Sequence, residues 1–206
     1  MSFVIKDFST GYDRKEIIHS LNLVLKNNEW LGIIGANGSG KSTFLKGIGR
    51  ILKPYSGSAI IGNKNIHDWP TKDIAKEISF LPQIQNYNLQ LTVYEFVCLG
   101  RSPYKEWWNW NLNNYDNSIV LKSLKATELC NLKDTLICNL SGGQRQRAYL
   151  SLALAQEPET LLLDEPTTFL DINYQIKFLN LLKRLKNEQT LSIITVIHDI
   201  NLALRF

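Results

Sequence analysis

Short apolar runs alternate along this chain with longer stretches in which apolar residues recur at helical spacing. The short runs predict β-strands at residues 3–5, 17–25, 30–34, 58–61, 78–81, 160–163 and 191–197. Helical spacing predicts helices at residues 41–52, 92–99, 115–129, 141–156, 172–186 and from residue 200 onward. Residues 9–14, rich in turn formers, predict a turn after the first strand. Strands that alternate with helices predict an α/β fold with a mainly parallel sheet.

The middle of the chain differs from this pattern because it is helical without intervening strands. We therefore expect residues 84–157 to form a helical subdomain inserted into an α/β core. That core would consist of residues 1–83 and 158–206, within a single domain that spans the chain. No internal repeat or flexible linker is recognisable.

A glycine-rich run between a predicted strand and a predicted helix fits the pattern G-x-x-x-x-G-K-[S/T] in full. The run comprises Gly35, Ala36, Asn37, Gly38, Ser39, Gly40, Lys41 and Ser42, and Thr43 follows it. Glycines allow successive backbone N–H groups to point at phosphate oxygens, and the following helix adds its positive N-terminal end. We expect Lys41 to reach the terminal phosphates and the Ser42 hydroxyl to bind Mg²⁺. The pattern predicts nucleotide binding without distinguishing ATP from GTP.

Two acids, Asp164 and Glu165, directly follow the predicted strand at residues 160–163. Ligands of open α/β sheets bind beyond the carboxyl ends of the strands, so these acids belong beside the glycine-rich run. We expect Asp164 to hold Mg²⁺, directly or through water, and Glu165 to polarise the water that attacks the γ-phosphate. The alternative is a surface or capping pair at a strand end.

The segment from Leu140 to Arg147, with sequence LSGGQRQR, resembles the signature motif of ABC ATPases, the nucleotide-binding subunits of ABC transporters. The resemblance extends from the first strand to the last residue. It implies a P-loop NTPase (RecA-like) core, an N-terminal antiparallel β-subdomain and an inserted helical subdomain. It also implies that ATP lies head to tail between the P-loop of one subunit and the signature residues of another, in a homodimer or with a closely related ATPase. The signature residues concerned are Ser141, Gly142, Gly143 and Gln144.

Four single residues match further family motifs, and each has a structural alternative. Gln83 resembles the Q-loop residue that binds Mg²⁺ or water, and would otherwise be a polar turn residue. His198 resembles the switch histidine that contacts the γ-phosphate, and would otherwise be a structural histidine. Asp171 resembles the D-loop aspartate that couples the two sites, and would otherwise be a helix cap. Tyr12 resembles the aromatic residue that stacks on adenine, and would otherwise pack on its own strand.

Two longer segments, residues 91–104 and 164–172, resemble those of importer ATPases that serve iron–siderophore, haem and cobalamin uptake. In that group the helical region faces transmembrane permease subunits, and a substrate-binding protein takes part indirectly. We accordingly expect a position on the cytoplasmic face of the membrane, held through these partners. Trp107, Trp108 and Trp110 fit either such a partner interface or the subdomain's own core. The cargo itself rests on analogy alone.

Composition and charge narrow the alternatives only slightly. A net charge of +4 fits nucleotide and membrane-protein partners as well as nucleic acid, and we expect no nucleic-acid partner. The three cysteines fit no metal spacing and indicate reduced thiols. The apolar runs are much shorter than the roughly 20 residues of a membrane helix, and the N-terminus does not resemble a signal peptide.

Two other functions remain open at this point. One is a soluble ABC ATPase that acts outside transport, although the fused units or long insertions of such proteins are not recognisable here. The other is a truncated, non-hydrolysing subunit, because family members continue past the switch histidine with further strands and a helix, whereas this chain ends at Phe206. The presence of Lys41, Glu165 and His198 argues against the second alternative.

Overall fold

The computed structural model describes residues 2–13, 15–83, 89–106, 111–168 and 170–206. The strands, in chain order, are β1 (Phe3–Tyr12), β2 (Lys15–Leu25), β3 (Trp30–Ile33), β4 (Pro54–Ile61), β5 (Lys64–Asn65), β6 (Ile78–Leu81), β7 (Thr160–Leu163) and β8 (Ser192–Val196). The α-helices are α1 (Lys41–Ile48), α2 (Thr71–Glu77), α3 (Val93–Cys98), α4 (Asn114–Ala126), α5 (Gly142–Ala155), α6 (Ile172–Gln189) and α7 (Ile200–Arg205). The α/β prediction is confirmed.

A parallel sheet with the strand order β3-β8-β7-β6 forms the centre of the molecule. All three strand pairs are parallel, so the four carboxyl ends meet at one edge. Every residue of β7 and β8 is buried. These two central strands are covered on both faces, which explains their continuous apolar sequences.

An antiparallel sheet with the order β2-β1-β4-β5 packs beside it, as expected. The turn predicted at residues 9–14 is wrong for most of that stretch, because β1 continues to Tyr12. Ser9 and Thr10 are buried in the strand, and their hydroxyl groups form hydrogen bonds with protein atoms instead of water. The Ser9 hydroxyl accepts a hydrogen bond from the Ser20 amide, and the Thr10 hydroxyl donates one to the Lys53 carbonyl. Small polar residues therefore belong to a strand here because each one is satisfied internally.

The helices mostly follow the predicted positions, with differences at their ends. Helix α1 ends at Ile48 instead of residue 52, and Gly49 caps it. The amides of Ile51 and Leu52 both donate to the Lys46 carbonyl in the turn that follows. Helix α2 and strand β5 have no counterpart among the predicted elements.

Helices α3, α4 and α5 enclose a hydrophobic cluster of their own, which includes Val93, Val97, Val120 and Leu124. Helix α5 also contributes Leu150 and other residues to a second cluster that it shares with β7, β8 and α6. One helix thus belongs to two cores, that of the helical segment and that of the parallel sheet.

Two sequence features, the three tryptophans and the short apolar runs, compare with the structure as follows. Trp107, Trp108 and Trp110 lie outside the described residues. Among the described residues, every helix is too short or too polar to cross a bilayer.

The close packing of Gly100 against α5 generates a stability prediction. A β-carbon at Gly100 would lie 2.3 Å from the Leu152 carbonyl oxygen and 2.9 Å from the Ala155 β-carbon. Gly100→Ala should therefore lower the free energy of unfolding by about 2 kcal/mol and Tm by roughly 4–8 °C. Gly32→Ala is the matched control, because a β-carbon there meets nothing within 4 Å. Equal Tm values for the two variants in thermal unfolding would contradict this account.

Candidate functional site

All four strands of the parallel sheet contribute to one site at their carboxyl ends. The P-loop follows β3, Gln83 follows β6, Asp164 and Glu165 follow β7, and His198 follows β8. The pairing of Phe80 with Leu162 and of Leu162 with Ile194 keeps these ends level. The sheet therefore brings together residues that lie far apart in the sequence.

The P-loop encloses the Lys41 side chain. Lys41 is only 7% exposed, and its Nζ donates to the carbonyl oxygens of Gly35 and Ala36 at 2.9 and 2.8 Å. Gly40 has a φ of +93°, and a β-carbon on it would lie 2.9 Å from side-chain atoms of Ile17 and Ile18. Only glycine meets both conditions, so β2 fixes the path of the loop.

The first turn of α1 is arranged to receive an anion. No side chain caps this helix at Gly40, and no acid lies in its first turn. The amide groups of a first helical turn have no partner within the helix, and the helix dipole makes that end positive. Backbone N–H groups and the Lys41 ammonium therefore converge on the same small region, which suits phosphate oxygens.

Ser42 and Asp164 are joined across the sheet by a hydrogen bond from the serine hydroxyl to Asp164 Oδ1, at 2.8 Å. Asp164 is 4% exposed. Burial raises the pKa of its carboxyl, and the charge of Glu165 adds to the rise, whereas the bond from Ser42 and the ammonium groups of Lys46 and Lys41 oppose it. Desolvation and the nearby charge of Glu165 both disfavour the ionised form of Asp164, and a cation beside the carboxylate would stabilise that form.

Ser42 and Asp164 suit a magnesium ion whose remaining coordination positions are filled by a nucleotide and water. Mg²⁺ typically takes one or two protein oxygen ligands and fills its other positions with phosphate oxygens and waters. Ser42 and Asp164 supply a hydroxyl and a carboxylate oxygen that already lie within hydrogen-bond distance of each other. No cluster of three or more His, Cys, Asp or Glu side chains suited to a metal occurs within the described residues. The donor set therefore suits an ion that arrives with phosphates.

Glu165 is the centre of a second group of contacts. Its Oε2 accepts a hydrogen bond from the Gln83 side-chain amide at 2.9 Å, and its Oε1 lies 2.5 Å from His198 Nε2. Gln83, expected to be a metal ligand, is thus turned toward Glu165 here. The structure brings together the three residues predicted for water, metal and γ-phosphate contacts.

Sequence reasoning missed two features around Glu165. The Thr168 hydroxyl also donates to Glu165 Oε2, at 3.1 Å. The Glu165 backbone has a φ of +51°, in the left-handed region that a non-glycine residue occupies at a cost. Spacing alone could have suggested Thr168, because in a tight turn a hydroxyl can donate a hydrogen bond to a carboxylate three residues earlier. The backbone conformation has no comparable signal in the sequence.

Tyr12 lies at the end of β1 and is 39% exposed. Its hydroxyl accepts a hydrogen bond of 3.4 Å from Lys46 Nζ, and the same ammonium lies 5.9 Å from the ring centroid. Because Lys46 belongs to α1, this contact places the exposed ring beside the helix that follows the P-loop. Adenine stacking stays a prediction.

The signature residues form a capped helix start. The Ser141 hydroxyl accepts from the Gln144 amide, and the Gln144 side chain accepts from the Ser141 amide, at 3.3 and 2.9 Å. Asp171 likewise caps α6 through the Tyr174 amide. A β-carbon on Gly143 would lie 3.0 Å from the Tyr174 ring, so the two helix starts are neighbours. Among the described hydrogen bonds of Ser141, Gln144 and Asp171, none reaches the P-loop.

A groove of about 580 Å³ opens beside these two helix starts. Gly143, Leu170 and Tyr174 form one part of its lining, and the rest includes three basic side chains. These are Arg147, Lys177 and Arg184. Glu128 also lines the groove and pairs with Arg147 and Arg184, so Gly143 borders an open surface on which basic side chains outnumber acidic ones. Lys41, in contrast, is enclosed by its own loop.

Comparison with known proteins places these features in a family. The ABC transporter family matches residues 18–168, which include the P-loop, the signature motif and the acid pair. The match ends before Asp171 and His198.

Two curated relatives match nearly the whole chain. The "Probable siderophore transport system ATP-binding protein YusV" of Bacillus subtilis is 44% identical over 198 residues, which cover 96% of this chain and 72% of the relative. The "Iron(3+)-hydroxamate import ATP-binding protein FhuC" of the same organism is 42% identical over 205 residues, or 100% of this chain and 76% of the relative.

A solved structure shows the same fold. The dimeric structure of MJ0796, a bacterial ABC transporter cassette, has a TM-score of 0.80 and 32% identity, covering 98% of this chain and 90% of that one. The same cassette has also been solved as a dimer in a post-hydrolysis state bound to ADP and Pi, with a TM-score of 0.79. Fold, site and sequence therefore agree that the chain belongs to the ABC transporter family, as an ATP-binding cassette whose relatives are transport ATPases.

Proposed function

We propose that this chain is the ATP-hydrolysing subunit of an importer that takes up a ferric siderophore or a similar chelate such as haem or cobalamin. The observation that carries the proposal is the set of contacts at the carboxyl ends of the parallel strands, where Lys41, Ser42, Asp164 and Glu165 converge. Support for the cargo comes from the names of the relatives, which transport siderophores and iron hydroxamates.

The P-loop residues would bind the phosphates of ATP. Backbone amides from Gly35 to Ser42, with Thr43 in the first helical turn, surround the phosphate oxygens, and Tyr12 stacks on adenine. Lys41 moves its hydrogen bonds from the loop carbonyls to the terminal phosphates. Ser42 and Asp164, together with Gln83, would hold a Mg²⁺ ion, which would supply positive charge beside the phosphates when bound. The Lys41 ammonium thereby keeps hydrogen-bond acceptors in both states, first the loop carbonyls and then phosphate oxygens.

Glu165 would orient and polarise the attacking water. Its two oxygens already have separate partners, with Gln83 and Thr168 at Oε2 and His198 at Oε1. When ATP is bound, His198 turns to the γ-phosphate, so Oε1 becomes free to accept a proton from water. Phosphoryl transfer depends mainly on positioning and charge stabilisation, which this arrangement supplies.

A second subunit would complete each site. Ser141, Gly142, Gly143 and Gln144 lie at a helix start, and a helix start is a natural partner for phosphate. Gly143 borders an open groove that three basic side chains and Glu128 also line. We infer that the four signature residues meet the γ-phosphate held by the other subunit, head to tail, with Asp171 beside them at the interface. The dimeric structure of the MJ0796 cassette supports this assembly.

The helical segment would connect the motor to the membrane. We propose a division into a core of residues 1–83 and 158–206 and a helical subdomain of residues 84–157, which the separate hydrophobic cluster of α3, α4 and α5 supports. This subdomain faces the permease subunits on the cytoplasmic side of the membrane, and a substrate-binding protein acts on the other side through them.

Replacement of Lys41 tests the phosphate site. Lys41→Ala should weaken ATP binding by about 10- to 100-fold, because it removes a charge-assisted contact of roughly 1.5–3 kcal/mol. Isothermal titration with Mg–ATP measures this change. Lys6→Ala, an exposed lysine on β1, is the control and should bind normally. Undiminished affinity of the Lys41 variant would overturn the assignment of the P-loop.

Replacement of Glu165 tests the hydrolytic step. Glu165→Gln keeps the size of the side chain but removes its basicity, so kcat should fall by about 100-fold or more while ATP affinity is retained. Steady-state phosphate release gives kcat, and Glu188→Gln, on the exposed end of α6, serves as the matched control. Turnover equal to that of the unaltered chain would show that Glu165 has another role.

The same Glu165→Gln variant tests the shared site. With Mg–ATP it should sediment as a dimer, and with Mg–ADP as a monomer, because slow hydrolysis preserves the closed state. A species that stays monomeric at saturating ATP would argue against the head-to-tail arrangement.

Reconstitution tests the importer role. A permease from the same organism should co-purify with the chain and, together with a substrate-binding protein in proteoliposomes, take up ⁵⁵Fe bound to a siderophore when ATP is supplied. Vesicles with the Glu165→Gln variant are the control and should accumulate little iron. ATP turnover without any associated permease would favour a soluble ATPase.

A further inference from the structure

A buried arginine, Arg101, contacts the connection between the signature helix α5 and strand β7. Arg101 is 1% exposed, and it lies in the short helix that follows α3. The proposed chemistry of the nucleotide site does not use it. A charged side chain is almost never fully buried without partners, so its environment calls for a specific explanation.

Arg101 binds two acidic side chains and one backbone carbonyl. Its Nε donates to Asp116 Oδ1 at 2.9 Å, on α4. Its Nη1 donates both to the Ala155 carbonyl at 2.8 Å and to Glu157 Oε2 at 2.9 Å. Ala155 is the last residue of α5, and Glu157 belongs to the connection that leads into β7. One guanidinium therefore joins α4 to the exact place where the chain leaves α5.

Two tyrosines reinforce the same place. The Tyr104 ring lies 3.9 Å from the guanidinium carbon, and its hydroxyl donates to the Gln156 carbonyl at 2.9 Å. The Tyr115 hydroxyl lies 3.1 Å from Glu157 Oε1 and donates to that carboxylate. Arg101, Tyr104, Tyr115, Asp116 and Glu157 are called the Arg101 cluster below. Three consecutive residues at the end of α5 are held by it.

The charges within the cluster are mutually stabilising. Burial alone would lower the pKa of Arg101, but its hydrogen bonds to Asp116 and Glu157 raise that pKa above its ordinary value. Burial would raise the pKa of Asp116, but the bonds from Lys105 and Arg101 lower it. Arg101 and Asp116 therefore stay ionised at neutral pH, and the fork of the guanidinium sets their geometry.

A second set of contacts ties the segment of Arg101 to α2. Lys72 Nζ, on α2, donates to the Lys105 carbonyl at 2.9 Å and to Glu106 Oε2 at 3.0 Å. Lys76 Nζ lies 5.3 Å from the Tyr104 ring centroid. Helix α2 leads directly into β6, and β6 leads to Gln83. The segment that carries Arg101 thus contacts α2, which leads into β6, and the connection from α5 to β7.

We propose that Arg101 is a positioning residue, which sets the angle of the signature helix α5 to the parallel sheet so that Ser141 meets the phosphate of the opposite subunit. This inference rests on the function proposed above, since it concerns the shared ATP site. The physical basis is leverage. Helix α5 has 14 residues and is thus about 21 Å long, so a tilt of about 5° at its carboxyl end moves its start by roughly 2 Å.

A displacement of Ser141 by this distance is large for a residue that contacts the reacting phosphate. A displacement of about 1 Å can reduce a rate by roughly 100-fold. ATP binding to one chain does not involve α5, whereas closure of the dimer does. Disturbance of the Arg101 cluster therefore affects dimer formation and kcat and leaves nucleotide binding by a single chain intact.

The test uses Arg101→Lys, because Arg101→Met would leave the buried Asp116 carboxylate without its guanidinium partner and endanger folding. A lysine keeps the charge but cannot form the fork that joins Asp116, Ala155 and Glu157. Tyr104→Phe is a milder second variant that removes only the bond to the Gln156 carbonyl. The controls are Arg50→Lys, whose arginine donates to the Trp69 carbonyl elsewhere in the fold, and Tyr55→Phe, an exposed tyrosine on β4.

The first measurement concerns a single chain without nucleotide. Spin labels at Lys122→Cys on α4 and Asn63→Cys, in the turn after β4, report the distance between helical segment and core once the native cysteines are replaced by serine. Pulsed electron paramagnetic resonance should give a narrow distribution of the distance between the two labels for the parent and for Arg50→Lys. The distribution for Arg101→Lys should be clearly broader. An equally narrow distribution in Arg101→Lys would overturn the proposal, whatever the dimer does.

The second measurement concerns the assembled site. In the Glu165→Gln background, Arg101→Lys should raise the protein concentration at half-dimerisation by about fivefold or more, and with Glu165 present it should lower kcat about tenfold, in line with a displaced helix. ATP affinity of the monomer should stay within about twofold, as expected where the phosphate contacts are unchanged. Tyr104→Phe should shift the same quantities in the same direction by less.

Two results would contradict the positioning role. Dimerisation and kcat equal to the parent, despite a lower Tm, would mean that the cluster is only structural. An equal loss of monomer ATP affinity would mean that it acts on the P-loop. If the Glu165→Gln parent itself fails to dimerise with ATP, the proposed shared site is wrong, and the distance measurement still decides whether Arg101 sets the helix angle.

Discussion

The parallel alignment of four strands is the constraint on which the site depends. Because β3, β8, β7 and β6 run in one direction, the P-loop, His198, the acid pair and Gln83 all emerge at the same edge. The hydrogen bond between Ser42 and Asp164 joins the loops that follow β3 and β7, across the end of β8. Any slip in register would separate these side chains, since one residue moves a strand by about 3.3 Å.

Within this edge the polar groups of the site satisfy one another. Lys41 binds loop carbonyls, Ser42 binds Asp164, and Glu165 holds Gln83, Thr168 and His198. Nucleotide binding is therefore an exchange of partners within a formed site and requires little new order. The signature residues are different, because Ser141 caps its own helix and Gly143 borders an open groove. In the proposed shared site, the P-loop half is prepared inside the chain, and the signature half would depend on the orientation of a helix that two hydrophobic cores share.

The sequence predicted most of the elements and the composition of the site, for identifiable reasons. Strands such as β7 have continuous apolar sequences, and the P-loop and signature are local patterns with few other uses. The strand order was not predictable, because apolar strands carry no label for their neighbours. Ser9 and Thr10 were misjudged because their polarity is satisfied only by partners such as Ser20 and Lys53, which are distant in sequence. The same limit applies to the Arg101 cluster, whose members extend from the segment after α3 to the connection before β7.

The position of β3 at the edge of its sheet has a consequence for biosynthesis. Within the described sheet, β3 pairs with β8 alone, so Trp30 meets Ile193 from near the other end of the chain. The strand that supports the P-loop thus cannot be seated until β8, which ends at Val196, has left the ribosome. At roughly 5–20 residues per second, the apolar edge waits on the order of ten seconds or more for its partner. During that interval the nascent chain exposes the surface that a chaperone would recognise, and a nucleotide has no finished site to bind.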